Sequence, residues 1–430
     1  MSVLVLHQVG SVHATPYDRW FSDHEGGVLL LTSRENLDRV GETLPAAGDG
    51  YVHTEAVDGY DTEGTLEERA LDLARAHGVT HVVAGHERDL ERAAALRELL
   101  GLPGQLPDSV VPFRDKAVMK ELAAAGGVRV AAHREIETAT DILGFAEEHG
   151  FPVVLKPRDS AGSVGLHILE TRAELDTYLA EDFDLYGPDQ PNMIAEEYVP
   201  GPLCHVDGLV LDGRLALAWP SQYQYPLATF ATDTGPRIDL TLDTADPLAH
   251  RLLAFTEELL GALPGPENFA FHAEVFHTPG DELVLCEIAC RTGGAAIRDI
   301  VALLFGADPT ENWLRAEVGL PVSVPRDVSG QRPGPRVMTG QMVLMKRPGR
   351  VVAVPDGPPD WPWIERFRVF VEPGRTMAAA RTSSDFLCTV LVSGRDRAEV
   401  EDRLRRIESW FLDRLHLEDV DTAPRPEPRT

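Results

Sequence analysis

The chain of 430 residues predicts a mixed fold, an α/β unit followed by α+β lobes. Three observations carry that expectation. Over residues 1–112, short β-branched runs alternate with amphipathic helical stretches, the pattern of a parallel sheet. Beyond residue 190 the strands alternate apolar and polar residues, as antiparallel strands with one solvated face do. The length suits roughly three domains or lobes at about 150 residues each.

The elements follow in order. VLVLH (3–7) and VLLLT (28–32) read as buried strands. GETLPAAGDG (41–50) reads as a surface loop. TLEERALDLARAHG (65–78) has helical apolar spacing and stops at Gly78. VTHVVAG (79–85) is a strand, and DLERAAALRELLG (89–101) a helix closed by Gly101 and Pro103. Residues 113–188 hold a helix in RDKAVMKELAAAGG, the strand VVLKP (153–157), a glycine-rich turn and a helix in RAELDTYLA. Residues 190–330 hold strands around IAEEYV, HVDGLVL, ALAWP, HAEVFHT and ELVLCEIA, interrupted by the helix DPLAHRLLAFTEELLG (246–261). From about 336 a separate lobe is expected, with MVLMK, RVVAVP, FRVFVEPG and FLCTVLVSG as strands and a helix over 396–415. The proline-rich polar tail 421–430 is expected to be disordered.

Composition excludes several classes. Hydrophobic residues at 43% and charged residues at 25% are a globular balance, not that of a disordered or fibrous chain. Forty Lys+Arg against 69 Asp+Glu leave a net charge of −29, which repels nucleic-acid phosphates and anionic lipid, so neither is an expected partner. No apolar run is long enough to span a membrane. The N-terminus lacks the basic region and apolar run of a signal peptide, and a cytoplasmic location is expected. Cys204, Cys286, Cys290 and Cys388 are too few and too scattered for a disulfide framework. The spacing of Cys286 and Cys290 invites a zinc reading, but no matching pair of soft ligands lies nearby.

Three segments carry candidate chemistry. In VVLKPRDSAGSVGLHIL (153–169) a strand delivers Lys156, and a loop with Ser160, Gly162, Ser163 and Gly165 returns to another strand. Glycines admit close backbone approach, and successive amides with serine hydroxyls can cradle phosphate oxygens. The same stretch also suits a plain hairpin with a flexible turn. In MIAEEYVPG (193–201) an apolar strand ends in two carboxylates and an aromatic ring, which suits an adenine edge or merely an exposed strand end. In HAEVFHTPGDELVLCEIACRTGG (272–294), Glu274 and Glu287 lie on partner strands within apolar runs. Buried carboxylates need partners or a metal. Two carboxylates without histidine at that spacing suit Mg²⁺. Arg291, four residues after Glu287, could hold a transferring phosphoryl group or an oxyanion, or form a buried salt bridge with a glutamate.

In this order, and with Lys116 and Lys120 upstream in FRDKAVMK (113–120), the segments resemble the ATP-grasp superfamily. RDKAVMK, KPRDSAGSVG, EEYVPG and the stretch 272–294 carry the resemblance, over residues 113 to about 294. It implies a pre-ATP-grasp parallel α/β domain over 1–112 and a two-lobed ATP-grasp fold. The lobes would be a small one (113–200) with the flap and a large one (201–335) with the Mg²⁺ site. A C-terminal α+β lobe (336–420) would complete it.

The resemblance also implies roles. Lys116 and Lys156 match the lysines on ATP phosphates, and 160–165 the mobile flap. Glu196, Glu197, Tyr198 and Val199 match the adenine hinge, Glu274 and Glu287 the Mg²⁺ ligands (Mn²⁺ as a substitute), and Arg291 the catalytic arginine. Two positions depart from the family: Leu203 stands where a ribose-binding Glu is usual, and Ala289 where an Asn helps hold a second Mg²⁺. His205 or Asp207, on the same strand face as Leu203, could replace the ribose contact. His272, two residues before Glu274, and Arg298 beyond the metal strand are candidate substrate contacts, Arg298 being equally readable as a surface helix residue.

By resemblance, the expected activity is an ADP-forming ligase that joins a small-molecule carboxylate to an amine through an acyl-phosphate. The C-terminal lobe is similar to that of amino-acid ligases and biotin-carboxylase- or carbamoyl-phosphate-synthase-like relatives. The resemblance points to a stand-alone amino-acid or dipeptide ligase of peptide or natural-product biosynthesis. Family habit adds a homodimer through the N-terminal domain. The alternatives are a carboxylating or thioester-forming ATP-grasp enzyme, or a nucleotide-binding regulatory module without turnover.

Overall fold

The computed structural model describes residues 2–48, 50–183, 192–225, 235–324, 332–380 and 385–419. The tail 421–430, expected to be disordered, lies outside them. No helix among the described residues is long and apolar enough to cross a membrane.

Strands β1 (Ser2–His7), β2 (Val28–Ser33), β3 (Tyr51–Val57) and β4 (Val79–Ala84) form the expected parallel sheet, in the order β3-β2-β1-β4. β1 and β2 are buried at every residue, which is why they read as unbroken apolar runs. The sequence reading missed the edge strand β3, whose middle residues are polar and only half-buried, so it shows no apolar run. Helices Thr65–His77 and Glu87–Leu100 end at Gly78 and Gly101, both left-handed, with φ of 58° and 64°. At the switch between β1 and β4 the carboxyl ends of the strands face the rest of the molecule, the usual place for a site in an open parallel sheet.

The small lobe is an antiparallel sheet of β5 (His133–Ile136), β6 (Val153–Pro157), β7 (His167–Leu169) and β8 (Met193–Glu197), in the order β5-β8-β6-β7. Helices Ala139–His149 and Arg172–Glu181 cover it, and Ile142, Phe145 and Leu175 share its core with Val153 and Leu155. Helix Lys116–Ala125 begins at Asp115, whose carboxylate accepts from the amides of Ala117 and Val118 at 2.9 and 3.3 Å.

The remaining strands are β9 (Leu203–Leu211), β10 (Arg214–Tyr223), β11 (Arg237–Thr241), β12 (Phe269–His277), β13 (Leu283–Ala289), β14 (Met338–Met345), β15 (Gly349–Ala353), β16 (Ile364–Val369), β17 (Thr376–Met377), β18 (Phe386–Gly394) and β19 (His416–Glu418). Eight of them form one sheet in the order β13-β12-β9-β10-β11-β14-β18-β16, while β17-β15-β19 make a small separate sheet. The boundary expected near 336 therefore cuts through a continuous sheet. β11 pairs with β14 from Arg237↔Val343 to Leu240↔Gly340, so the C-terminal lobe satisfies the backbone edge that β11 would otherwise leave open. Ile238 and Leu240 share their core with Met342, Val390, Ile407 and Phe411.

Gly208 marks the tightest layer of this sheet. A Cβ there would collide with the Leu217 carbonyl oxygen and the Phe271 ring. Backbone cannot retreat as a flexible side chain can. Gly208→Ala should cost about 1–3 kcal/mol of stability, read as a lowered midpoint in urea unfolding.

Candidate functional site

The lysines gather around one carboxylate. Glu196, at the end of β8, is buried with one oxygen 3.0 Å from Lys156 Nζ on β6 and the other 3.4 Å from Lys120 Nζ. Burial alone would raise the Glu196 pKa, yet the two ammoniums hold it below the usual carboxylate range. For Lys156 burial also opposes charge, but Glu196, with Cys286 and Glu287 behind it, holds the ammonium above the ordinary lysine range. For Lys120 burial dominates and the pKa falls. Its ammonium also donates to the carbonyls of Leu285 and Cys286, at 3.4 and 3.1 Å, on the metal strand β13. The sequence reading placed Lys120 at a helix start but gave it no role. Its full burial is a tertiary fact.

Both oxygens of Glu196, the first residue of the expected adenine hinge, lie against lysines. Glu197 and Tyr198 are exposed and Val199 is half-buried, so they form the rim.

Lys116 Nζ donates to the Ser160 carbonyl at 2.6 Å and lies 3.4 Å from Glu287. It thus ties the flap to the metal strand. The flap is exposed at Gly162, Val164 and Gly165. Gly162, Ser163 and Gly165 take positive φ of 68°, 59° and 73°, and Ser160 Oγ donates to the Val164 carbonyl at 3.0 Å. The successive left-handed residues turn the backbone as a phosphate cradle requires.

Glu274 and Glu287 sit opposite each other in the β12–β13 register, as expected. Tyr223 donates to Glu274 at 3.2 Å. Burial would raise the Glu287 pKa, but Lys116 and Lys156 keep it ionised and low. The facing oxygen pair fits a divalent cation of the Mg²⁺ type, with nucleotide and water completing the shell. Ala289, opposite His272, adds no side-chain donor. Arg291 is paired with Glu87 of the N-terminal domain and donates to the Thr292 carbonyl at 2.9 Å. Glu87 also pairs with Arg114. Neither Glu87 nor Arg114 was singled out from the sequence. A glutamate in the first turn of a helix carries no signal of a partner some two hundred residues away.

His205 and Asp207 share a face of β9 as expected, and both are closed into pairs with neighbouring side chains. His205 is 0% exposed and Asp207 3%. Asp207 sits between two imidazoles, 2.5 Å from His205 Nδ1 and 2.8 Å from His272 Nδ1, and His205 Nε2 forms an ion pair with Asp239 at 2.9 Å. Burial would discharge these histidines. The carboxylates outweigh it, raising His205 well above the usual range and His272 to about 9. Gln341 continues the chain, donating to Asp239 at 3.1 Å and accepting from the Ala296 amide at 3.0 Å. A polar band thus crosses the floor of the sheet from Glu274 to the loop after Arg291. The ligand atoms of His205, Asp207 and His272 lie within 4.8 Å of one another, but they are bonded to each other rather than aimed at an empty centre.

Arg298 is already engaged within the chain. Its guanidinium contacts both oxygens of Asp308, Oδ1 at 3.0 Å and Oδ2 at 2.6 Å, and lies 4.8 Å from the centre of the Trp20 ring. It fastens the N-terminal domain and does not offer a free fork to a substrate.

Comparisons with known proteins agree with this geometry. A family model described as carbamoyl-phosphate synthase L chain, ATP binding domain, matches residues 115–205. Another, L-amino acid ligase C-terminal domain 2, matches residues 341–409. The crystal structure of L-amino acid ligase from Bacillus licheniformis aligns with a TM-score of 0.71 at 17% identity, over 97% of this chain and 99% of that one. The chain is 25% identical over 272 residues to the L-arginine-specific L-amino acid ligase of Bacillus subtilis, covering 62% of this chain and 64% of the relative. It is 28% identical over 261 residues to dapdiamide A synthase of Enterobacter agglomerans, covering 56% and 57%. The matches span less than two thirds of each of these relatives.

Two substitutions separate the roles of these residues. Lys120→Ala removes one partner of a buried ion pair and should cost about 3–5 kcal/mol, read by denaturant unfolding. Arg298→Ala should lower the thermal midpoint by loosening the N-terminal domain. Substrate KM values should stay within about threefold of the parent in steady-state assays.

Proposed function

We propose that the chain is an ATP-dependent carboxylate–amine ligase acting on an amino acid or a similar acid. The observation that carries this reading is the meeting of Lys116, Lys156, Glu287 and Arg291 beneath a glycine-rich flap, with Glu274 facing Glu287. The likeness to named L-amino acid ligases supports it.

In this reading a substrate carboxylate attacks the γ-phosphorus of ATP, the bond to the β–γ bridging oxygen breaks, and ADP leaves. The acyl-phosphate is then attacked at carbon by an amine, inorganic phosphate leaves, and the amine loses a proton as the amide forms. Lys116 and Lys156 neutralise phosphate oxygens, and Arg291 holds the negative charge that develops on the reacting group. The flap 160–165 shields the acyl-phosphate from water. Glu274 and Glu287 would hold Mg²⁺, with Mn²⁺ as a substitute. The ion supplies charge neutralisation to the transferring phosphoryl group. The free cysteines fit a cytoplasmic setting. A homodimer remains part of the proposal by family likeness.

The test is ADP release with ATP, Mg²⁺ and a pool of amino acids, with mass spectrometry of the products. An amide product with one ADP per bond is expected. If no acid–amine pair stimulates release, the reading fails, and release that depends on bicarbonate or coenzyme A would replace it. Arg291→Ala should lower kcat by about 10²–10³-fold while ATP binding, measured by calorimetry, changes far less.

A further inference from the structure

The ATP-grasp core does not hold its arginine alone. Arg291 Nε pairs with Glu87 and one Nη1 hydrogen goes to the Thr292 carbonyl, while Nη2 has no hydrogen-bond partner among the described residues. Glu287 and Glu274 are near enough to act on its charge. Glu87 stands in the first turn of helix Glu87–Leu100, just beyond the carboxyl end of β4, at the switch point of the N-terminal sheet. A helix N-terminus favours a carboxylate there. The other Glu87 oxygen is taken by Arg114, which is itself fixed by Glu91 at 3.3 Å and by the Asp159 carbonyl, next to the flap, at 2.7 Å. Burial would raise the Glu87 pKa, but the two guanidiniums keep it ionised.

We infer that Glu87 is a positioning residue for the ligase chemistry: it grips Arg291 by Nε so that the Nη side faces the reacting phosphoryl and acyl groups. The N-terminal domain thereby completes the site, and Arg114 links that grip to the flap. An arginine held from one side gives up little rotamer freedom when it meets the transition state. This inference rests on the ligase reading for its kinetic consequence, but not for its geometry.

The experiment uses the full chain with Glu87→Gln and Glu87→Asp, and the acid–amine pair found by the product screen. Glu87→Gln should lower kcat by roughly 10–100-fold with the ATP KM within about threefold, because the lost contact acts in the transition state. The ADP-to-amide ratio should rise above one as acyl-phosphate escapes to water. Glu87→Asp, which keeps the charge, should recover part of the loss. Combining Glu87→Gln with Arg291→Lys should cost less than the product of the two single effects. An unchanged kcat with one ADP per amide in Glu87→Gln would overturn the inference, as would full additivity. A second readout needs no turnover. The protected Arg291 Nε–H signal in ¹H–¹⁵N spectra, assigned by its loss in Arg291→Lys, should disappear in Glu87→Gln. Its persistence overturns the positioning role even if no acid–amine pair is ligated, whereas absence of turnover in the parent protein, with that signal lost on substitution, counts against the ligase reading alone.

Discussion

A single buried ammonium ties the two halves of the site together. Lys120 pairs with Glu196 of the small lobe and donates to the carbonyls of Leu285 and Cys286 on the metal strand. Glu287 is the next residue along, and Lys156 shares the same Glu196. Lys156, Glu196 and the strand that carries Glu287 therefore meet at one side chain that is 0% exposed. A charge taken from water stays in place only where its partners are well placed. That constraint makes the arrangement rigid at the base of the site while the flap above it stays exposed.

The same logic governs charge throughout the site. The chain carries −29 overall, yet Arg114, Lys116 and Arg291 line one pocket, and Lys120 and Lys156 are buried against Glu196. Each cation has a carboxylate neighbour: Glu287, Glu196 or Glu87. A nucleotide meets a local field prepared by these pairs, not the average surface. In the polar band beyond, Asp207 and Asp239 keep two buried imidazoles charged, and Gln341 passes the connection to the loop that follows Arg291. Within it His205 is paired with Asp207 and Asp239, and His272 with Asp207 and Glu274.

Much of this was legible in order and in kind. The β1 and β2 runs, the helix stops at Gly78 and Gly101, the strand carrying Lys156 and the facing Glu274 and Glu287 all follow from local pattern, because burial on both faces or a left-handed cap leaves a mark in the sequence. Edge strand β3 left none, since half of it faces solvent. The strands from about residue 336 onward, after a proline-rich stretch, read as a separate lobe. The pairing of β11 with β14 across that stretch depends on backbone hydrogen bonds that have no side-chain signature.

The sequence by itself determined the class of fold, the order of the glycine-rich loop, the Glu196 strand and the strands of Glu274 and Glu287, and the residue types able to meet phosphate and a divalent cation. Those depend on neighbours a few residues apart, where period and spacing are enough. Only the tertiary structure decided the partners. Glu196 pairs with two lysines; His205 and Asp207 are closed into a buried relay; Arg298 fastens a domain seam; Glu87 reaches Arg291 from another domain. Each of these is a pairing of charges removed from water. Such a pairing is chosen by which groups are brought within a few ångströms of each other, and linear spacing does not encode it.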